Sequence, residues 1–273
     1  MRRGELATST LLVAPSLPRR LFGRLVGRPV EGPQYAVRIP EIDLRRSGHI
    51  TTGTAESAQT REEFRAIKRN VVANLANASG ARDPRVILVT STRPGEGKTF
   101  VALNLALSLT VDRDMSVTLI DADPIDHGLS RRLGITEERG LFDGLGQGTT
   151  EGQSTNVSNL TVIPAGRSRS DAPELLSSER MGRLLESLTN SGSSLVILDS
   201  SALLSGSSAA ALSGFAGQTL FVIGCRETGR QLVDEALTLL DSQIGPLESA
   251  NIGLVLNKIS PDQSAARFSG TTA

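Results

Sequence analysis

Residues 85–100 read Arg85-Val86-Ile87-Leu88-Val89-Thr90-Ser91-Thr92-Arg93-Pro94-Gly95-Glu96-Gly97-Lys98-Thr99-Phe100. The apolar run Val86–Val89 is that of a strand buried on both faces. A loop with two glycines follows, and a helical pattern opens at Lys98. Strand, glycine-rich turn and helix in this order make a phosphate-binding loop. Gly95 and Gly97 let backbone N–H groups turn inward with no Cβ in the way, and the helix start adds the positive end of its dipole. Lys98 is placed to reach the β- and γ-phosphates of a nucleotide, and the Thr99 hydroxyl is placed to ligate Mg²⁺. Thr92 stands where the pattern has its first glycine. The chain holds 26 Arg and three Lys. A lysine at the one position that needs a compact ammonium is therefore informative.

Outward from this loop, apolar β-branched runs alternate with helical spacing. A helix is predicted from Lys98 to about Thr110. The strand Val117–Ile120 precedes a short helical piece at Leu129–Leu133. Leu160–Ile163 precedes a helix over Pro173–Leu188, and Leu195–Leu198 precedes one near Ser208–Phe215. Leu220–Ile223 precedes a helix over Gly229–Leu240, and Ile252–Leu256 is the last strand. Strands apolar on both faces and separated by helices imply a three-layer α/β domain with a mostly parallel sheet over residues 80–260. Two of these strands end in acid: Asp121-Ala122-Asp123 after the first, Asp199-Ser200-Ser201 after the Leu195 strand. In a parallel sheet all carboxyl ends share one edge, so these acids face the phosphate loop.

Composition narrows the function. Basic and acidic residues number 29 each, so net charge selects no polyanion, and with seven Phe, one Tyr and no Trp there is little for bases to stack on. No nucleic-acid partner is expected. A single cysteine excludes an intramolecular disulfide and a cysteine zinc site, and no apolar run suits a secretory signal or a span. A cytoplasmic protein is expected, with any membrane attachment through a partner. Cys225 reads as core packing, and His49 and His127 do not make a metal site, although His127 follows Asp123 closely enough to approach phosphate.

Residues 1–40 carry seven Arg and two Glu, and prolines 15, 18, 29, 33 and 40 interrupt any period. Residues 1–59 are expected to be a flexible, disordered basic arm, either a solvated tail or a docking segment. Thr60-Arg61-Glu62-Glu63 fits a capping box, opening a helix whose stripe is Phe64, Ile67, Val71 and Leu75 and whose stop is Ser79-Gly80. The expected organisation is arm 1–59, domain 60–260 with its leading helix at 60–79, and a short flexible tail 261–273.

Several stretches together resemble the bacterial tyrosine kinases of exopolysaccharide synthesis and export, a branch of the MinD/ParA-like P-loop ATPases. They are Glu62–Arg69, Val89–Phe100, the turn Gly140-Leu141-Phe142-Asp143-Gly144-Leu145, the run Pro173–Met181, and Val255-Leu256-Asn257-Lys258. The subgroup encoded beside exosortase-linked loci is the most similar. The resemblance implies ATP and Mg²⁺ as cofactors. It implies nucleotide contacts from Gly95, Glu96, Gly97, Lys98, Thr99 and Phe100, with Asn257 near adenine. Thr99, Asp121 and Asp199 would serve the metal, and Lys98, Asp121 and Asp123 the chemistry. It further implies homo-oligomers through Glu62, Arg65 and Lys68, with Lys in place of a final Arg. The implied partner is a membrane polysaccharide co-polymerase that recruits the chain to the inner membrane face.

The sequence departs from that family at three places. Pro124-Ile125-Asp126-His127 follows Asp123 where a hydrophobic residue and Arg are usual. Ser200 and Ser201 replace two prolines. No Tyr follows Lys258, so autophosphorylation of a tail is not expected, and Tyr35 is the one tyrosine. Arg93 occupies the place of a second lysine that contacts nucleotide across a dimer in related ATPases, and serves either that role or as a surface charge. Three functions stay open: a tyrosine kinase or ATPase acting on a membrane partner, a nucleotide-dependent scaffold, and a positioning ATPase without tyrosine transfer.

Overall fold

The computed structural model describes residues 12–15, 37, 39, 55–76, 82–112, 114–136, 139–190, 192–245 and 251–259. Tyr35, the Ser79-Gly80 stop, the tail 261–273 and most of the arm lie outside them. The strands are β1 (Leu12–Pro15), β2 (Val86–Ser91), β3 (Ser116–Ala122), β4 (Gln153–Ser154), β5 (Leu160–Ile163), β6 (Ser194–Ser200), β7 (Gln218–Gly224) and β8 (Ile252–Ile259). The helices are α1 (Ala55–Ala76), α2 (Lys98–Leu109), α3 (Gly128–Leu133), α4 (Leu141–Gln147), α5 (Ala172–Leu176), α6 (Glu179–Thr189), α7 (Ser208–Ser213) and α8 (Arg230–Ile244), with a 3₁₀ turn at Leu203–Ser205.

Each central strand supplies both cores. On β2, Ile87 and Val89 face α1, α2 and α3, while Val86 and Leu88 face α4, α5 and α6. On β6, Leu195 and Ile197 take the first side, Val196 and Leu198 the second. Period-two alternation with both faces apolar is what a sheet covered on both sides requires. The three-layer α/β expectation therefore holds. A smaller cluster around Phe221 packs β7 against α7 and α8.

The sheet order is β1-β8-β7-β2-β6-β3-β5-β4. All neighbours are parallel except β4 on β5. The chain leaves β2, forms α2 and returns at β3, with β6 inserted between them. That arrangement opens a crevice at the carboxyl edge beside β2, the place where open α/β sheets hold ligands.

Four expectations need correction or refinement. The leading helix starts at Ala55, five residues before Thr60, so Thr60 lies inside it and not at its start. Ala55, Glu56, Ala58 and Gln59 are good helix formers, and they carry the helix past the box. The single helix expected over Pro173–Leu188 is two. Ser178 breaks it with extended backbone, and its hydroxyl accepts from the Met181 N–H to start α6. The turn at Gly140–Leu145 opens a helix, α4, with the Asp143 carboxylate accepting from the Gly140 N–H at 3.3 Å. Packing also begins earlier than Thr60. Leu12–Pro15 pairs with β8, and Val37 and Ile39 are buried. The Asn156 amide accepts from the Ile39 N–H at 2.7 Å and donates to its carbonyl at 3.2 Å.

Candidate active site

The loop after β2 takes its shape from two left-handed glycines, Gly95 at φ 87° and Gly97 at φ 101°. Such angles strain any residue with a Cβ. Gly97 is required twice over, since a Cβ there would lie 1.9 Å from Asn257 Nδ2. Gly97 brings no capping side chain to the start of α2. With no capping side chain there, the start of α2 presents the positive end of its helix dipole, which stabilises an anion. Lys98 is 7% exposed at this helix start.

The acids arrive by strand register. Asp121 on β3 and Asp199 on β6 are direct partners, and Val89 on β2 is the partner of Asp199 on its other side. Asp121 is held by α3. Its Oδ2 accepts from the Ser130 N–H at 2.8 Å and the Ser130 hydroxyl at 2.6 Å, and its Oδ1 from the Asp123 N–H at 3.3 Å. Burial pushes the Asp121 carboxyl up, and those hydrogen bonds oppose it. Asp123 Oδ1 accepts from the Ile125 and Asp126 N–H groups at 3.0 and 3.1 Å, which folds the following loop around it.

Asp199 differs. It is fully buried, and among the described residues neither carboxylate oxygen has a hydrogen-bond partner. Burial first, then the Asp121 charge, push its pKa up to about 8, while nearby Thr99 and Lys98 pull it down. An orphaned pair of hard carboxylate oxygens beside the Thr99 hydroxyl is a donor set that fits Mg²⁺. Among the described residues, the buried Thr92 and Ser201 hydroxyls also have no hydrogen-bond partner.

The other expected residues divide. The Glu96 carboxylate is taken up within the fold, accepting from Arg93 N, Gly224 N and the Thr228 hydroxyl. Phe100 packs its ring edge-on against Phe64, 6.0 Å between centroids. Asn257 reaches the loop, with its amide donating to the Glu96 carbonyl at 2.7 Å and accepting from the Lys258 N–H at 2.9 Å. His127 does not turn to the loop: its Nε2 lies 3.2 Å from the Pro124 carbonyl, and its ring stands 6.4 Å from that of Phe142. On α1, Glu62 and Arg65 form an exposed pair at 2.8 Å. Lys68 is tied inward to the Ser108 carbonyl at 3.2 Å and Asp112 at 2.7 Å.

Arg132 was not singled out by the sequence pattern. Arg132 is exposed, yet desolvation lowers its pKa and the Asp199 carboxylate opposes that, so its guanidinium lies within the field of Asp199. It stands four residues after Gly128, whose Cβ would lie 2.8 Å from Thr99 Oγ1. The i,i+4 relation to Gly128 was the available signal.

No family model matches the chain. Over 177 residues it is 31% identical to the tyrosine-protein kinase Wzc of Salmonella typhimurium, covering 64% of this chain and 24% of that protein. It is 32% identical to the succinoglycan biosynthesis transport protein ExoP of Rhizobium meliloti, covering 22% of its length. Identity to the tyrosine-protein kinase CpsD of Streptococcus agalactiae is 27%, over 85% of that protein. The kinase domain of the Escherichia coli tyrosine kinase ETK superposes with a TM-score of 0.67 at 25% identity, covering 96% of this chain and 92% of that one. The chain is similar to the bacterial tyrosine kinases. It spans about a quarter of the length of Wzc and ExoP and most of CpsD. Among the described residues, no helix is long and apolar enough to cross a membrane.

Proposed function

We propose that this bacterial-tyrosine-kinase relative binds Mg-ATP and uses it, by hydrolysis or by transfer to a tyrosine, to regulate exopolysaccharide synthesis or export. The observation that carries the reading is the unpartnered, buried Asp199 beside Thr99 and Lys98, in register with Asp121. An acid so desolvated is a structural liability unless a cation occupies the site. Phosphoryl transfer asks chiefly for positioning and charge stabilisation. The N–H groups of the loop and first turn of α2 hold the phosphates, and Lys98 draws charge toward its ammonium. Thr99 and Asp199, with Asp121, would hold Mg²⁺, which when bound neutralises charge on the phosphate oxygens. Asp123, two residues after Asp121, would orient a water or an acceptor hydroxyl.

The transport role of ExoP supports a polysaccharide co-polymerase as the membrane partner, met at the inner membrane face. Homo-oligomers form through Glu62 and Arg65, whose side chains are exposed; Lys68, being tied inward, contributes less. Tyr35 is the one tyrosine in this sequence, which favours an acceptor on another protein. Placement beside exosortase-linked loci belongs to the same proposal, and genomic neighbourhood tests it.

Calorimetry with Mg-ATP on wild type and Lys98→Ala tests the site. A loss of about tenfold or more in affinity is expected, since a charge-assisted contact is removed. Equal affinity refutes the assignment. Labelled ATP then sorts the chemistry. Label on a tyrosine of the partner supports the kinase, and free phosphate alone supports an ATPase. Tight binding without turnover supports a nucleotide-dependent scaffold.

A further inference from the structure

We infer that Glu96 is a positioning residue whose carboxylate latches the phosphate loop to the β7–α8 connection, Cys225–Gly229. Glu96 is 2% exposed. Its Oε2 accepts from the Arg93 N–H at 2.6 Å, folding the loop back on itself. Its Oε1 accepts from the Gly224 N–H at 2.9 Å and from the Thr228 hydroxyl at 2.5 Å. Gly224 ends β7, and Thr228 directly precedes Gly229, the residue from which α8 starts.

The connection closes on itself, with the Glu227 and Thr228 N–H groups donating to the Gly224 carbonyl at 3.2 Å each. The Cys225 N–H donates to the Asn257 carbonyl at 2.9 Å, and Glu227 pairs with Lys258. The Asn257 amide in turn donates to the Glu96 carbonyl at 2.7 Å. Three sheet-edge segments, after β2, after β7 and at the end of β8, thus converge on one residue of the phosphate loop.

The chemistry explains why the residue is a carboxylate. Three donors meet two oxygens, and an ionised carboxylate is acceptor-only. Glutamine presents an NH₂ to one side of the set, turning a donor against either Arg93 N or the Gly224–Thr228 pair. The latch makes the connection and the start of α8 follow the conformation of the phosphate loop. Its consequence for nucleotide affinity rests on the Mg-ATP reading of the site; its existence does not.

The test uses the full chain as wild type, Glu96→Gln, Thr228→Val, Thr228→Ser and the double variant Glu96→Gln/Thr228→Val. Hydrogen exchange is followed across residues 222–230 without nucleotide, together with Mg-ATP calorimetry and melting midpoints. In Glu96→Gln and Thr228→Val the Gly224 amide is expected to exchange about tenfold faster, with the midpoint held, and Thr228→Ser to match wild type. Mg-ATP affinity falls about tenfold in the first two, and the double variant falls no further than Glu96→Gln alone. Unchanged exchange in Glu96→Gln overturns the latch whether or not nucleotide binds. Faster exchange with unaltered affinity overturns the positioning role. If wild type takes up no Mg-ATP while exchange changes as expected, the nucleotide reading falls and the latch stands. Should Glu96→Gln not fold, the contrast between Thr228→Val and Thr228→Ser decides both points in the same way.

Discussion

Asp121 and Asp199 are register partners on adjacent parallel strands, yet Asp121 accepts three hydrogen bonds while Asp199 accepts none among the described residues. The asymmetry follows from what each strand leads into. After β3 the chain turns into α3, and Ser130 brings its N–H and hydroxyl back to Asp121. After β6 comes Ser200, whose hydroxyl donates to the carbonyls of Val89 and Ser201 and not to Asp199. One acid is thereby a fixed brace, and its neighbour is left available to a ligand.

That availability sets a pH signature in the nucleotide-free protein. The Asp199 pKa is raised from 3.8 to about 8 by burial and by Asp121. Between those values the unfolded chain has lost the proton and the folded chain keeps it, so stability falls as pH rises. Asp199→Asn, close in shape to the protonated acid, removes this dependence. Thermal melts from pH 5 to pH 8.5 should show the variant gaining on wild type steadily, by on the order of a few kcal/mol at the upper end. A difference that stays flat across this range refutes the raised pKa.

Gly128 gives a second handle, because a Cβ there lies 2.8 Å from Thr99 Oγ1. Its backbone angle is not left-handed, so Gly128→Ala brings no backbone strain and gains helix propensity. The Thr99 side chain has to shift about its χ1 torsion, moving Oγ1. Gly128→Ala should therefore weaken nucleotide binding measured with Mg²⁺ by roughly three- to tenfold, with binding measured in excess chelator little altered. Equal losses under both conditions would mean that the change acts on the loop and not on the Thr99 hydroxyl.

The parts legible in the sequence were those written in local pattern. The run Val86–Val89, the two glycines, Lys98 and the acids after two apolar strands each signal their role within a few residues. Relations between distant residues were not legible. Glu96 looks like a loop residue that faces a ligand until β7 brings Gly224 and Thr228 beside it, 128 and 132 residues away. Val37 and Ile39 show only a single alternation around Arg38, too short to outweigh the prolines near them. The break at Ser178 was hidden because its flanks, Leu175-Leu176 and Met181, keep helical apolar spacing through it.

Lys68 and its neighbours on α1 separate assembly from stability. Glu62 and Arg65 are exposed, with side chains 63% and 64% accessible, so their mutual pair is worth little to the fold. Lys68 is 17% accessible and joins α1 to the end of α2 through the Ser108 carbonyl and Asp112. Glu62→Ala with Arg65→Ala should lower self-association in sedimentation while leaving the melting midpoint nearly in place. Lys68→Ala should do the reverse, costing about 1 kcal/mol of stability through two lost contacts to the end of α2 with a smaller effect on assembly. If Lys68→Ala alone dissolved the oligomer at unchanged stability, the inward tie would be secondary and all three residues would form one contact surface.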